Sequence, residues 1–356
     1  MTSLMAHPTP AFVPVEPGHN IRFGLVGYGY WGPNLARNIG QHAEATLVSI
    51  SDLDEGRLTA ARRGHSLART TTDFREILRD PTIDAVVVAT PPATHHRIVM
   101  EALESGKHVL VEKPLATSGA DAEAMVKAAR ACGRTLAVDH TFLFTGAVKR
   151  IKQYFDAGDV GEVYYYDSTR INLGLFNHHT NVIWDLAPHD ISIMQYLIDQ
   201  PVRRVSAIGE RHVDTNVENI AYITLQFDSQ LLAHFHVNWL APVKVRRTII
   251  GGSKKMLVYD DTEPSEKLRV YDSGAQLSAG AEDMYQQLVQ YRTGDVVAPK
   301  IEQGEALATE LSHFIRVLRG TEEPISGGDL GVRVVKVIEA AQASLRLAGA
   351  FVEVSA

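Results

Sequence analysis

The feature that most constrains the fold is a glycine-rich turn between an apolar run and a helical segment. Residues 21–27 read IRFGLVG, the turn reads GYGYWG, and PNLARNIGQ follows with Pro33 in its first turn. In such a turn the first glycine permits a tight bend, the second admits a pyrophosphate, and the third lets helix and strand pack closely. The pattern predicts a dinucleotide-binding βαβ unit in which these residues contact the cofactor: Gly27, Gly29, Tyr30, Trp31 and Gly32.

The remainder of the chain divides into two patterns. Residues 21–140 alternate short apolar runs with helical stretches, which predicts a doubly wound parallel sheet of the α/β class. Residues 141–356 contain consecutive alternating runs without intervening helices, which predicts an α+β domain with a mostly antiparallel sheet. Residues 1–20 carry four prolines and are predicted to be a disordered tail.

Composition excludes several function classes. The formal net charge is −7 and the basic residues are dispersed, which argues against nucleic acid as a partner. No apolar run approaches the ~20 residues that span a bilayer, so no membrane partner is expected. The single cysteine, Cys132, cannot form an intrachain disulfide, which fits a reducing cytoplasm.

Asp52 bears on the choice of dinucleotide. It lies twenty residues after Gly32, at the end of the second predicted strand. A carboxylate there accepts hydrogen bonds from the adenosine ribose hydroxyls and repels a 2′-phosphate, so NAD is favoured over NADP. Arg57, one helical turn further on, keeps NADP open as the alternative.

Two further segments carry candidate chemistry. Lys113 ends a predicted strand, where ligands of doubly wound sheets bind, although a lysine before a turn is also a common surface residue. Asp185 and His189 are four residues apart in the apolar segment WDLAPHD, where a carboxylate could orient a proton-transfer imidazole. Pro188 suggests that a helix only begins inside this segment, and an Asp N-cap beside a core histidine is the structural alternative.

The segments GLVGYGYWG, TPPATHH, ESGKHVLVEKPLA and WDLAPHD occur in an order that resembles the Gfo/Idh/MocA oxidoreductases. The resemblance implies that Lys113, Asp185 and His189 line the reacting carbon, with His189 or Lys113 as proton acceptor. It implies that His95 lies near the nicotinamide ribose. The segments TPPATHH and ESGKHVLVEKPLA contribute four further cofactor contacts: Thr90, Pro91, Glu112 and Lys113.

The resemblance also implies the architecture and partners of the second domain. In the family this domain is an open, mostly antiparallel sheet with helices on one side. Its sheet face commonly makes the subunit contact, so a homodimer or homotetramer is expected. The WDLAPHD form looks most like members that act on nucleotide-linked sugars, although the glycines that often precede this segment in the family are replaced by Asn181-Val182-Ile183-Trp184.

The expected activity is hydride transfer between a ring hydroxyl carbon of a sugar, at C3 of a nucleotide-linked hexose, and the nicotinamide. Two alternatives remain open: an NAD-dependent glycoside hydrolase that oxidises C3 transiently, and an inositol or polyol dehydrogenase. The pairs His95-His96 and His178-His179 lack partners at metal-ligand spacing, so no metal is expected. Four polar residues are candidate substrate contacts beside the three reacting groups: Arg170, Asn172, His179 and Arg247.

Overall fold

The computed structural model describes residues 12–16, 18–174, 180–213, 216–272, 274–277, 289–292 and 294–355. Its contacts divide the chain into two compact units. Unit 1 contains the described residues up to Phe144 together with Glu305–Val335, and unit 2 contains Thr145–Gly304 with the described residues from Lys336 onward.

The first half of the chain alternates strands and helices, as the sequence predicts. Its elements are β1 Ile21–Val26, α1 Gly32–Gln41, β2 Ala45–Ser51, α2 Glu55–Gly64, β3 Arg69–Thr71, α3 Phe74–Arg79, β4 Ala85–Val88, α4 His95–Glu104, β5 His108–Glu112, α5 Gly119–Ala131 and β6 Leu136–Asp139.

The second half is dominated by strands. Its elements are α6 Gly146–Asp156, β7 Val163–Leu173, α7 Val182–Leu197, β8 Val202–Glu210, β9 Ile220–Phe227, β10 Leu232–Asn238, β11 Leu240–Gly252, β12 Met256–Asp260, β13 Leu268–Tyr271, β14 Gly274–Leu277, β15 Val289–Arg292, β16 Val296–Val297, α8 Ala306–Leu318, α9 Gly328–Arg346 and β17 Val352–Glu353.

The sheet of unit 1 has the strand order β3-β2-β1-β4-β5-β6, and all its pairs are parallel. This is the doubly wound order that the sequence predicts, with its switch point between β1 and β4. β4 reads AVVV and is buried at every position, because helices cover both faces of a parallel sheet. The carboxyl ends of β1, β2, β4 and β5 therefore meet at one edge, where such sheets bind ligands.

Helix α8 belongs to unit 1, although the sequence division placed every residue after 141 in the second domain. Five of its apolar side chains join the core cluster that contains residues of β1 and β2. These helix residues recur at three- and four-residue spacing and form one apolar face: Leu307, Leu311, Phe314, Ile315 and Leu318. The periodicity predicts the helix, but it does not reveal which core the helix joins.

The N-terminal segment differs in part from the predicted tail. The backbone N–H of Val15 donates to the carbonyl of Leu318 at 2.8 Å, and that of Val13 donates to Gly133 at 3.2 Å. Val15 is buried and belongs to the core cluster of unit 1. Val13 and Val15 are therefore anchored to unit 1, whereas the prediction for residues 1–11 and 17 falls outside the described residues.

The main sheet of unit 2 has nine strands in the order β16-β13-β12-β11-β7-β10-β9-β8-β17. Its pairs are antiparallel except β7 with β10, so the predicted open, mostly antiparallel sheet is confirmed. Helix α7 packs on the face of β7 that carries Tyr166 and Arg170, since both side chains bond to Asp190 of that helix. Across the described ranges, no helix combines the length and apolarity needed to cross a membrane.

Candidate active site

The glycine turn between β1 and α1 has the geometry that its sequence predicts. Gly27 has φ +98°, and a Cβ there would lie 2.4 Å from the carbonyl oxygen of Ala89. A Cβ on Gly32 would lie 2.5 Å from the Gly27 oxygen, so this glycine lets α1 approach the turn. A Cβ on Gly29 would meet only the end of Arg57, at 3.6 Å. The backbone at Gly29 is therefore open on the side where a pyrophosphate would bind.

Asp52 follows β2 and has two functions in the structure. Its Oδ2 accepts the backbone N–H of Tyr28 at 2.6 Å, and its Oδ1 accepts that of Asp54 at 2.9 Å. The carboxylate therefore ties the glycine turn to the end of β2. The guanidinium Nη1 of Arg57 lies 3.5 Å from Asp52 Oδ2, so the two residues that bear on the choice between NAD and NADP are in contact.

A cavity of about 860 Å³ follows this edge of the parallel sheet. Most of the predicted cofactor residues line it: Gly27, Gly29, Tyr30, Trp31, Asp52, Thr90, Pro91, Glu112 and Lys113. Together the glycine cradle, the carboxylate at the end of β2 and the length of the cavity fit a dinucleotide, with the pyrophosphate over the α1 N-terminus and the ribose hydroxyls at Asp52.

Sequence reasoning missed one wall of this cavity. The ring of Phe74, in the first turn of α3, lies 5.0 Å from the guanidinium carbon of Arg75 and 5.3 Å from that of Arg97. All three residues line the cavity, and Glu101 accepts hydrogen bonds from Arg75. The sequence did not predict this wall, because the strand that precedes it, β3, has only three residues and its Arg-Thr-Thr sequence carries no apolar pattern.

His95 is not among the residues that line the cavity. Its ring is fully buried, with Nδ1 2.9 Å from the carbonyl oxygen of Pro114 and Nε2 2.8 Å from that of Thr90. Burial lowers the pKa of His95, while the two carbonyls oppose that shift. The histidine thus bridges the loops after β4 and β5, and its position near the nicotinamide ribose stays a prediction.

A group of buried carboxyls lies beside Lys113. Glu112 and Asp139 pair in register across β5 and β6, and Asp139 interacts electrostatically with both Glu112 and Glu310. Burial, reinforced by Asp139, raises the pKa of Glu112 and of Glu310 well above the usual range. Both shifts favour the protonated, neutral form of these glutamates. Asp139 accepts the indole N–H of Trp31 at 3.2 Å. Protonation limits the negative charge next to Lys113.

His140 follows Asp139 and is also buried, with 1% of its surface exposed. Burial lowers its pKa to about 4, so the imidazole is neutral at physiological pH. Asp139, Glu310 and His140 were not singled out from the sequence. The segment VDH at the end of a predicted strand was the signal available, since polar residues at carboxyl ends of parallel strands face the ligand edge.

Helix α7 in unit 2 carries the other candidate pair. It begins after Asn181, whose side chain caps the N–H of Trp184 at 3.2 Å, and it continues through Pro188. The helix therefore starts earlier than Pro188 suggested, and Asn181 rather than Asp185 is the N-cap. Asp185 and His189 are one turn apart on the helix, as an i, i+4 pair.

The predicted substrate contacts are distributed over both faces of the unit 2 sheet. Arg170 is 3% exposed and makes a bidentate ion pair with Asp190, at 2.7 and 2.9 Å. Its guanidinium thus joins β7 to α7, which differs from the predicted contact with substrate. Asn172 lies on the same face of β7, by the alternation of a strand. Arg247 pairs in register with Thr169, so its side chain is on the opposite face from α7.

The structure therefore does not bring Arg247 together with Asp185 and His189. His179 lies outside the described residues. Within the described ranges, no three His, Cys, Asp or Glu side chains are grouped so that they could hold a metal ion.

Comparison with known proteins agrees with this geometry. Residues 21–140 match the Gfo/Idh/MocA oxidoreductase family model with its NAD-binding Rossmann fold, and residues 148–258 match the family's C-terminal domain model. Together the two models cover more than half of the chain. The chain belongs to the Gfo/Idh/MocA oxidoreductase family. It is an NAD-binding oxidoreductase, and its relatives include inositol dehydrogenases.

Three comparisons are informative. A myo-inositol 2-dehydrogenase of Thermotoga maritima is 25% identical over 343 residues, which cover 91% of this chain and 96% of the relative. A 2,7-anhydro-N-acetylneuraminate hydratase of Escherichia coli is 27% identical over 270 residues, or 70% of each chain. The WlbA dehydrogenase of Bordetella pertussis, solved with NADH and UDP-GlcNAcA, is 21% identical with a TM-score of 0.80, covering 96% of this chain and 100% of that one. This last likeness shows the fold alone.

Proposed function

We propose that the protein oxidises a ring hydroxyl of a nucleotide-linked sugar, at C3, with NAD as hydride acceptor. The observation that carries the proposal is that Lys113 directly follows β5 and lines the dinucleotide cavity next to Glu112, whose pKa is raised by burial. A lysine at this position can hydrogen-bond the hydroxyl that reacts, because the carboxyl ends of parallel strands are where ligands of this fold bind.

The proposed division of labour follows the family resemblance. His189 accepts the hydroxyl proton as the C–H bond delivers its hydride, and Asp185 orients and charges the imidazole. Lys113 donates a hydrogen bond to the same oxygen and stabilises its developing negative charge. Bound NAD supplies the hydride acceptor. In the reverse direction His189 returns the proton to the carbonyl oxygen, so the same groups serve a reductase.

The substrate class is proposed from the WDLAPHD segment, which resembles that of family members acting on nucleotide-linked sugars. The WlbA structure with UDP-GlcNAcA is consistent with this class, although its likeness concerns the fold. Arg170 is not part of the proposed phosphate site, because its guanidinium is already bound to Asp190.

The test is a panel of UDP- and dTDP-linked hexoses, the matching free hexoses, and inositols, each assayed for NADH formation. We expect nucleotide-linked hexoses to give a higher kcat/KM than the matching free sugars. Equal kcat/KM for free and nucleotide-linked sugars would refute the substrate class. Preferential turnover of inositols would instead support the polyol dehydrogenase alternative, which the T. maritima relative favours.

A second candidate is an NAD-dependent lyase or glycoside hydrolase that oxidises C3 only transiently. The hydratase among the relatives favours it, because hydration causes no net oxidation of the substrate. The two candidates differ in one observable. A dehydrogenase accumulates one NADH for each substrate consumed, whereas the second candidate releases product without accumulating NADH.

We also propose that the open face of the unit 2 sheet binds a second copy of the chain. Tyr165 and Leu232 are direct neighbours across β7 and β10, and both are exposed, as is Tyr222 on β9. An apolar and aromatic sheet face of this kind is typical of subunit contacts. Sedimentation of the wild type should give a dimer or tetramer, and Tyr165→Glu should give smaller species. An unchanged sedimentation profile for the variant would contradict this surface.

A further inference from the structure

The side chain that holds Asp185 comes from a distant part of the sequence. Trp239 lies between β10 and β11, and its indole ring is fully buried. The indole Nε1–H donates to Asp185 Oδ2 at 3.0 Å. The two residues are 54 positions apart, so only the folded sheet and α7 bring them together.

The backbone around Trp239 fixes the ring in place. Its N–H donates to the carbonyl of Asn219 at 2.9 Å, and its carbonyl accepts the N–H of Gly174 at 3.0 Å. A Cβ on Gly174 would lie 2.4 Å from the indole Cδ1, so a glycine at this position leaves the space that the ring occupies.

The start of α7 is tied to the same segment. The N–H of Val182 donates to the carbonyl of Glu218, the residue before Asn219, at 3.0 Å. Asn181 donates to the Glu218 carboxylate at 2.9 Å, and the Asp185 N–H donates to the Asn181 carbonyl at 3.2 Å. Consecutive residues therefore anchor the donor and the helix turn that carries the acceptor, so the distance between Trp239 and Asp185 is fixed by the fold.

We propose that Trp239 is a positioning residue for the reaction, which holds the Asp185 carboxylate in one orientation toward the His189 turn. The proposal rests on the proposed function of Asp185. An indole N–H can donate but never accept a hydrogen bond, so its partner oxygen must be an acceptor. The contact therefore restricts the rotation of the Asp185 carboxyl group, which an orienting group needs.

The kinetic test is Trp239→Phe, which removes the N–H and keeps a large aromatic ring. Loss of one hydrogen bond to a charged group corresponds to a decrease in kcat of about tenfold to hundredfold. We expect the dissociation constant of NAD to be unchanged, since Trp239 is in unit 2 and the cavity that fits NAD is in unit 1. In the Asp185→Ala background, Trp239→Phe should have no further effect on kcat, because its acceptor is gone.

A spectroscopic test does not depend on activity or on the folding of Trp239→Phe. The chain has three tryptophans, so its indole ¹H–¹⁵N resonances are few and are assigned by Trp31→Phe and Trp184→Phe. Asp185→Asn should move the Trp239 indole resonance further than that of Trp31. Trp31 is a matched control, because its indole donates to a different carboxylate, that of Asp139.

The outcomes separate the two proposals. An unmoved Trp239 resonance in Asp185→Asn, or an unchanged kcat in Trp239→Phe when Asp185→Ala is impaired, would overturn the role of Trp239. An equal effect of Trp239→Phe on kcat in the wild-type and Asp185→Ala backgrounds would also overturn the role of Trp239. Wild-type kcat in Asp185→Ala would instead refute the proposed catalytic role of Asp185, while the indole shift could still demonstrate the contact.

Discussion

Two alanine substitutions in the glycine turn separate folding from cofactor binding. In Gly27→Ala the new Cβ would lie 2.4 Å from the Ala89 oxygen and 2.7 Å from the Ala89 carbon, which are backbone atoms. The residue would also have φ +98°, which costs an L-residue about 1–2 kcal/mol. With about 1–3 kcal/mol for the steric overlap, Gly27→Ala should lower the free energy of unfolding by roughly 2–5 kcal/mol.

Gly29→Ala is the matched change with the opposite expectation. Its Cβ would have only Arg57 within reach, at 3.6 Å, so the thermal unfolding midpoint should stay close to that of the wild type. The same methyl group would occupy the space above the α1 N-terminus where the pyrophosphate must approach. The dissociation constant of NAD should therefore rise about tenfold or more, which corresponds to about 1.4 kcal/mol.

The assays are differential scanning calorimetry of the free protein and a fluorescence titration with NAD. Gly158→Ala serves as the control for conformation alone, because Gly158 has φ +68° and a Cβ there would have no atom within 4 Å. The decrease in the free energy of unfolding of Gly158→Ala should equal the part of the Gly27→Ala decrease that comes from positive φ. Wild-type NAD affinity in Gly29→Ala would refute the assignment of the pyrophosphate to this turn.

Three further predictions concern buried ionisable groups. Arg170→Met should lower the free energy of unfolding by about 3–5 kcal/mol, because it leaves Asp190 buried without its partner; wild-type stability in urea would show that the pair is dispensable. Because burial raises the pKa of Glu310, the folded protein retains a proton that the unfolded chain releases above pH ~4.5, so stability falls as pH rises. Glu310→Gln removes this dependence, so the unfolding temperature of the variant should rise relative to that of the wild type between pH 5 and pH 8. A difference in unfolding temperature that stays constant over this range would contradict the raised pKa of Glu310. His140 should have the opposite effect on the pH dependence of stability. Because its pKa is lowered to about 4, the unfolded chain binds a proton first, and stability falls as the pH decreases below ~6.5. In an acid titration of unfolding, His140→Gln should make that decrease smaller.

Sequence patterns predicted most of the fold because its strands and helices carry strong periodicity. The βαβ alternation gave the parallel sheet, and the fully buried β4 is visible in the run AVVV. The elements between β2 and β4 were missed for physical reasons. Helix α2 buries only Leu58 and Ala61, and β3 has three residues, so neither carries a recognisable apolar face.

The site was only partly predictable because several of its contacts are nonlocal. Gly27 and Asp52 belong to a local motif whose spacing is fixed by one βαβ unit, and the structure places both as the motif requires. Glu310 reaches Asp139 from a helix 171 positions later in the chain, and no local pattern encodes that contact. Arg170 was predicted to contact substrate because the sequence shows a cation in a strand but does not show its buried ion pair with Asp190.

The central claim is that Lys113 and His189 act on one hydroxyl oxygen, and it is tested most directly by a double-mutant cycle on kcat. Lys113→Ala and His189→Ala should each lower kcat by about 10²–10⁴-fold, the range for a positioned proton-transfer group, and should leave NAD affinity nearly unchanged. The double variant should lose less than the product of the two single losses, because groups that act on the same oxygen are not independent. Losses that multiply, or a His189→Ala variant with wild-type kcat, would contradict the account.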